Sequence, residues 1–415
     1  MQYKNEALNT PQARKRALYV LSLAVFTSLI GIGIVVPFLS VFAGDLGAAG
    51  FWIGAVFAAF SLSRTVAMPY FGNLSDRVEK KKILAVGLGA YAAISLGYIF
   101  VVSVEGLVFL RLLHGLSSAM VAPVAMAYLG ELAAPGEEGQ FMGMFQGVTM
   151  LGFGAGPLLG GIIYAQYGFN EAFYALTGFS ALACFIIIAL LPPMSSPGVP
   201  YQSQAVEEKK PILREYRTLL ADYRILSVCV FSFIIEIAFI SLLNFLPLFM
   251  VSISLGAAES GIAISLAIIL SGILQSVFGR IANGAHRVYL IIGGGTLFGV
   301  GFLLLPFSSS FLFVLGICIC IALGLFFTTP AMNVYLVDVG HEFGMGTTMG
   351  VYSTLRGCGD IVGPLLAGAL LDVIGVAQMY SVMGMFCLAG TVIFIILFQG
   401  GKKKKREKQM HHEKA

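Results

Sequence analysis

Charge is scarce in this sequence: 11% of its 415 residues are Asp, Glu, Lys or Arg, while 58% are hydrophobic. Water-soluble domains run near a quarter charged, so the solvent for this chain is lipid. Cysteine is sparse too, and Cys184, Cys229, Cys318, Cys320, Cys358 and Cys387 all fall within long apolar runs. A thiol there is a small buried hydrophobe, and neither a disulfide nor a metal site is expected. No glycine loop of the phosphate-cradling kind, no Ser/His/Asp set and no metal-ligand spacing stands out. These gaps argue against an ATP-driven pump and against buried catalysis, and no cofactor is expected. The net charge of +4 reads as membrane anchoring, not nucleic-acid binding.

What the chain does have is a series of apolar runs at about 17–43, 51–72, 83–103, 107–130, 140–165, 172–192, 225–252, 258–279, 288–306, 311–334, 346–371 and 378–399. Each is long enough to cross a hydrocarbon core of about 30 Å at about 1.5 Å per residue. Basic residues are missing from one side of the membrane altogether. Of 25 Lys and Arg, three (Arg64, Arg111 and Arg356) lie inside spans, and all the others share one face if the N-terminus is cytoplasmic. The positive-inside rule therefore places both termini in the cytoplasm of a multi-pass protein of the cytoplasmic membrane. Arg14, Lys15 and Arg16 precede the first run, which lacks a small-residue cleavage site and reads as an anchor, not a signal peptide.

An internal repeat organises the spans. At an offset of 207, Gly54 falls on Gly261, Gly72 on Gly279, Pro123 on Pro330, Tyr128 on Tyr335, Gly143 on Gly350, and Gly156-Pro157 on Gly363-Pro364. Glu131 and Asp338 also match. Six spans per copy leave both copies in the same orientation, related by an axis along the membrane normal. The expected organisation is a six-helix bundle over 1–192, a cytoplasmic linker over 193–224, a second six-helix bundle over 225–399 and a basic tail over 400–415. Within the linker, Ile212, Leu213, Tyr216, Leu219 and Leu220 recur at helical spacing, the pattern of an interfacial amphipathic helix. Lys402 to Lys405, with His411 and His412, form a tail suited to anionic lipid.

Three motifs carry a family resemblance. Gly72-Asn73-Leu74-Ser75-Asp76-Arg77 followed by Lys80-Lys81-Lys82 resembles the loop between the second and third helices of the major facilitator superfamily. Phe109-Leu110-Arg111-Leu112-Leu113-His114-Gly115 is similar to its fourth-helix motif, and Gly147, Gly152, Gly156-Pro157 and Gly160-Gly161 to its fifth-helix antiporter motif. With Pro37-Phe38-Leu39 in the first span, the likeness is closest to the twelve-helix drug:proton antiporters. The resemblance implies an all-α membrane protein of two pseudo-symmetric six-helix bundles around a central cavity. It further implies that Gly72, Asp76 and Arg77 help hold the cytoplasmic side closed, that Gly156-Pro157 bends its helix and seals an interface, and that Arg111 takes part in proton coupling. Glu79 departs from the pattern, standing where the family usually has glycine, and Asn283 replaces the acid in the second copy of the loop.

Each motif also has a plainer reading. The basic loop would anchor to anionic lipid in any membrane protein, although Asp76 is not needed for that and is suited to accept N–H groups at a helix N-terminus. Gly152, Gly156 and Gly160 lie one turn apart, with mates Gly359, Gly363 and Ala367, and small faces of this kind pack helices closely in lipid whatever the function.

A charge in hydrocarbon costs roughly 2.5–3.5 kcal/mol, so the ionisable residues within spans are candidate site residues. They are Arg64, Arg111 with His114 three positions on, Glu236, and Arg356 with Asp360 four positions on; Asn244, eight residues after Glu236, is a candidate substrate contact. None has a charged mate in the repeat. Glu236 has no basic residue within a turn and is the leading candidate for proton coupling or substrate contact, against a structural hydrogen bond. Arg356 and Asp360 can meet along one helix face, as a static pair or as one that opens on protonation. The expectation is a secondary carrier working by alternating access, exporting small amphipathic compounds against inward protons and acting as a monomer in the bilayer. A carrier of an anionic metabolite or lipid is the rival, since three intramembrane arginines outnumber two acids; a non-transporting sensor or intramembrane enzyme is the rival from another class.

Overall fold

A computed structural model describes residues 10–134, 136–194, 219–278 and 287–412, together with Leu8. Among the described residues there is no strand. The linker positions Ile212, Leu213 and Tyr216 and the second-copy loop over 279–284 lie outside them.

The helices are α1 (Pro11–Asp45), α2 (Gly50–Ser75), α3 (Lys80–Phe100), α4 (Val104–Leu132), α5 (Glu138–Tyr167), α6 (Phe169–Leu190) and α7 (Tyr223–Ser252). They continue as α8 (Ala257–Phe278), α9 (Arg287–Phe307) and α10 (Phe311–Phe343). A last helical stretch, Met345–His412, holds 68 residues, about twice what a bilayer crossing takes. It is broken at Gly375, whose φ of 81° and ψ of 166° are open to a residue without a Cβ. Residues 345–374 form α11 and 376–412 form α12, which completes the expected twelve crossings. Gly168, at φ 99°, likewise joins α5 directly to α6.

Proline and small residues shape the individual spans. Pro37 lacks an N–H, and α1 tightens to a 3-10 turn at Val36–Phe38 before resuming at Leu39. Ahead of Pro123, α4 is interrupted between Ala119 and Ala122. Large apolar side chains such as Val66, Phe185 and Ile396 are exposed, the inverted surface that acyl chains solvate.

Chain compactness defines two units. The first comprises Met1–Gln202, Leu243–Gly272 and Pro364–Val373; the second comprises Ser203–Leu242, Ile273–Gly363 and Ile374–Ala415. In the first, Leu18 and Leu21 of α1, Leu84 and Leu88 of α3, Tyr128 and Leu129 of α4, and Ile187 of α6 share one core. The Tyr128 hydroxyl donates to the Pro192 carbonyl at 3.0 Å, tying α4 to the end of α6. In the second, α9 meets α10 through glycine: a Cβ on Gly324 would lie 2.8 Å from the Gly294 carbonyl oxygen.

The antiporter-motif glycines dock α5 on α1. A Cβ on Gly152 would fall 2.9 Å from the Phe26 carbonyl, one on Gly156 2.7 Å from the Gly33 carbonyl carbon, and one on Gly160 2.7 Å from the Ile34 Cα. Gly147, in the same motif, has open space beside it.

Lys80 corrects the reading of the basic loop as wholly lipid-facing. Its side chain is fully buried, and Nζ lies 2.7 Å from Oε1 of Glu131, the acid at the end of α4 that recurs in the repeat as Asp338. Desolvating an ammonium demands a counter-charge, and α4 brings one to the first turn of α3.

Two stability predictions follow from this packing. Gly156→Val is expected to lose about 2 kcal/mol through backbone overpacking, whereas Gly147→Ala is expected to hold or gain stability; thermal unfolding in detergent measures both. Glu131→Gln, which removes the counter-charge of a buried ammonium, is expected to cost about 3 kcal/mol and to lower the melting temperature more than Lys80→Met, which leaves a half-exposed carboxylate able to reach water.

Candidate functional site

In the second unit, mid-span positions of α7 and α11 bring Glu236 and Arg356 together. Nε of Arg356 donates to Oε2 of Glu236 at 2.7 Å, and Nη2 lies 2.6 Å from the same oxygen. Glu236 is mostly buried, at 12% side-chain exposure, while Arg356 is 43% exposed. Both donors converge on Oε2, so Oε1 takes no hydrogen bond among the described residues. The helices approach this closely because residue 359 is glycine: a Cβ there would stand 2.9 Å from the Cβ of Glu236. Gly359, the repeat mate of Gly152, therefore does for α11 on α7 what Gly152 does for α5 on α1. The ring of Tyr352, one turn before Arg356, lies 5.9 Å from the guanidinium carbon.

Spacing alone predicts that Arg356 meets Asp360 one turn on; the fold directs its Nε and Nη2 to Glu236, 120 positions away in the chain. Asp360 stands one helical turn from the same guanidinium on α11. The acid that looked isolated in sequence thus has a cation, and the two candidate groups form one cluster.

In the first unit, Arg111 is 3% exposed yet meets no carboxylate among the described residues. Nε donates to the Val56 carbonyl of α2 at 3.2 Å, and the guanidinium carbon sits 4.3 Å from the Phe60 ring centroid and 5.8 Å from that of Phe57. Phe57 and Phe60 are three positions apart, which puts both rings on the α2 face toward α4. Contact there is close because Gly115, one turn past Arg111, lets α4 ride against the backbone of Phe60. Arg64, one turn past Phe60, buries an Nε that finds no acceptor and makes no ion pair among the described residues. His114 is bonded on both sides: Nδ1 to the Tyr98 hydroxyl at 2.9 Å and Nε2 to the Ser95 hydroxyl at 3.3 Å. With both ring nitrogens held, His114 clamps α3 to α4 beneath Arg111.

Asn244 belongs to the first unit, Glu236 to the second. Asn244 is 1% exposed and its Oδ1 is buried with no hydrogen-bond partner among the described residues, beside Phe245, whose ring lies 6.3 Å from Phe57.

The gate-motif residues occupy the exit of α2. Gly72 is helical with open space beside it, and the Ser75 hydroxyl caps its carbonyl at 2.7 Å. Asp76 is the C-cap of α2, exposed, and its carboxylate makes no hydrogen bond or ion pair among the described residues; Arg77 is exposed too. The turn forms without the family's glycine, since Glu79 adopts φ −55° and ψ 117°, open to any residue. In the antiporter motif, Pro157 lies inside α5, and a Cβ on neighbouring Gly161 would fall 2.6 Å from the Ala257 carbonyl at the start of α8. The sequence marks Lys80 only as part of the basic loop and does not single out Tyr352, Phe57 or Phe60; the helical spacing of Tyr352 to Arg356 and of Phe57 to Phe60 is the one signal it offers for them.

Known proteins agree on the kind of molecule. A sequence profile of the Major Facilitator Superfamily matches residues 21–364. An uncharacterised MFS-type transporter of Methanocaldococcus jannaschii is 30% identical over 385 residues, 91% of this chain and 97% of the relative. The quinolone resistance protein NorA of Staphylococcus aureus is 28% identical over 92% of this chain and 96% of its own length. In fold, a bacterial homologue of the human lysosomal transporter Spinster, inward-facing and occupied, gives a TM-score of 0.80 at 11% identity, covering 94% of this chain and 98% of that one. The human organic anion transporter TETRAN gives 0.63 at 18% identity, over 93% and 100%. A profile match across most of the length, joined by relatives aligned nearly end to end, makes this chain a member of the Major Facilitator Superfamily of membrane transporters.

Proposed function

We propose that the chain is a secondary active carrier that exports small amphipathic compounds in exchange for protons, by alternating access of its two six-helix halves, residues 1–192 and 225–399. In this reading it works as a monomer in the cytoplasmic membrane with both termini in the cytoplasm, the side on which the positive-inside rule puts its basic loops. One observation carries the proposal: Glu236 binds Arg356 through Oε2 alone, leaving Oε1 without a hydrogen bond among the described residues. A proton arriving at Oε1 neutralises the carboxylate, removes the charge that holds Arg356 and frees the guanidinium. Loading and release of one proton thereby switch an interhelical tie between α7 and α11. The relationship to a quinolone resistance protein supports amphipathic drug-like substrates. Arg111, cushioned by Phe57 and Phe60, and the unbonded Asn244 oxygen supply cationic, aromatic and polar contacts for such compounds.

A second reading, transport of an anionic solute, is favoured by Arg64 and Arg111. Neither has a carboxylate partner among the described residues, and an unpaired guanidinium in lipid favours an anion.

Reconstitution into proteoliposomes with an imposed pH gradient, an internal pH dye and a chemically diverse panel tests both. Substrate-dependent proton movement is expected, and Glu236→Gln is expected to reduce it to the background of protein-free liposomes; full coupling in that variant would refute the assignment. Competition then separates the substrate classes. If anions compete, Arg64→Gln is expected to raise their KM by about tenfold or more, the loss of one charge-assisted hydrogen bond; if cations and neutral amphipaths alone compete, the second reading falls.

A further inference from the structure

The start of α2 lacks a cap of its own. The residue preceding its first turn is Ala49, which has no side-chain acceptor, and no acidic residue occupies that turn. A helix N-terminus presents unbonded N–H groups and a partial positive charge, and Ala at this position forgoes the usual Ser, Thr, Asp or Asn. Here the acceptor comes from 322 positions away: Oδ1 of Asp372, near the end of α11, accepts the Gly50 N–H at 2.6 Å, and Oδ2 accepts the Phe51 N–H at 2.8 Å. Backbones touch beneath it. A Cβ on Gly50 would fall 2.9 Å from the Leu371 Cβ, and one on Gly368 would fall 2.8 Å from the Gly50 carbonyl carbon. All of these residues belong to the first compact unit. They lie at the Gly50 end of α2, opposite the end that leads into the basic loop.

The repeat supplies an internal control. Gly368 corresponds to Gly161 and Gly50 to Ala257, and Gly161 packs on the Ala257 and Gly261 backbone at the start of α8. The same close approach is therefore built twice. The cap is not: Asp372 corresponds to Ala165, and α8 is capped locally by its own Glu259, whose Oε2 accepts the Gly256 N–H at 3.1 Å. One helix start is closed by its own side chain, the other by a carboxylate from the opposite sequence half.

We propose that Asp372 is a detachable N-cap that latches the first helix-start of α2 to the end of α11, holding this end of the carrier shut and releasing it when the halves part there. The inference rests on the alternating-access reading. The latch suits a reversible gate because both partners lie at the membrane boundary. On opening, water can take over the two N–H groups and the carboxylate, so neither state strands a buried polar group. Asp372 is a positioning residue: it acts on which state is populated and need not touch solute.

Ile53, 3% exposed and one turn inside the latch, is the reporter. In the full-length chain with its six native cysteines replaced, Ile53→Cys is exposed to a membrane-impermeant maleimide added on the side away from the basic loops, in oriented proteoliposomes. Asp372→Asn is expected to raise the labelling rate about tenfold, and Asp372→Glu, which keeps the carboxylate, to stay within about twofold of the parent. Glu259→Gln, which weakens a helix start without crossing between halves, is expected to leave Ile53 labelling unchanged. Parent-like labelling in Asp372→Asn, or an equal rise in Glu259→Gln, would overturn the latch. The carrier reading is judged separately by transport in the same vesicles: a chain that labels as expected but moves no solute would sink that reading alone, and one that transports with unresponsive labelling would remove the latch alone.

Discussion

Helices in lipid gain little by hiding apolar surface from one another, because acyl chains solvate leucine as well as leucine does. What remains is dispersion between surfaces brought very close, and closeness requires that side chains get out of the way. The glycines of this chain meet that requirement at the contacts that matter. Gly152, Gly156 and Gly160 lay α5 on the backbone of α1, Gly359 lays α11 on Glu236, Gly115 lays α4 on Phe60, and Gly50 and Gly368 meet across α2 and α11. Three of these contacts, those of Gly359, Gly115 and Gly50 with Gly368, also position a polar group. Without Gly359, Arg356 would stand off from Glu236; without Gly115, Arg111 would lose the Val56 carbonyl and its aromatic cushion.

The same solvent penalises an intramembrane charge left alone, and apart from Arg64 the cations described above have partners. Lys80 finds Glu131, Arg356 finds Glu236, and Arg111 finds a carbonyl and two rings. These solutions differ in what they permit. An ammonium sealed against Glu131 holds two helices together. On the reading proposed above, the carboxylate bonded through one oxygen takes a proton, and the guanidinium resting on rings and a carbonyl offers its charge to a solute.

A duplicated scaffold carrying unduplicated chemistry is the theme common to the two ends and the middle of the molecule. Glycine and proline recur at the offset of 207, so the halves share their packing; Glu236, Arg356, Arg111 and Asp372 do not recur, so they differ in what that packing does. The helix starts of α2 and α8 show this in miniature, with one backbone approach and two sources of cap.

The number of crossings, the duplication and the positions of the three motifs were legible in the sequence, because bilayer thickness and helical spacing act on neighbours in the chain and leave their mark on every short window. The identity of the ionisable candidates was legible for the same reason: a charge inside an apolar run is conspicuous. Their partners were not. Spacing pairs Arg356 with Asp360 four positions on, yet it binds Glu236 at 120; the basic loop assigns Lys80 to lipid, yet it binds Glu131 at 51; and nothing local marks Asp372, which caps a helix 322 positions away. Sequence by itself settles which groups must be satisfied, since desolvation is a property of the group and its depth; only the packed tertiary structure decides what satisfies them, since that depends on which backbones the glycines allow to meet.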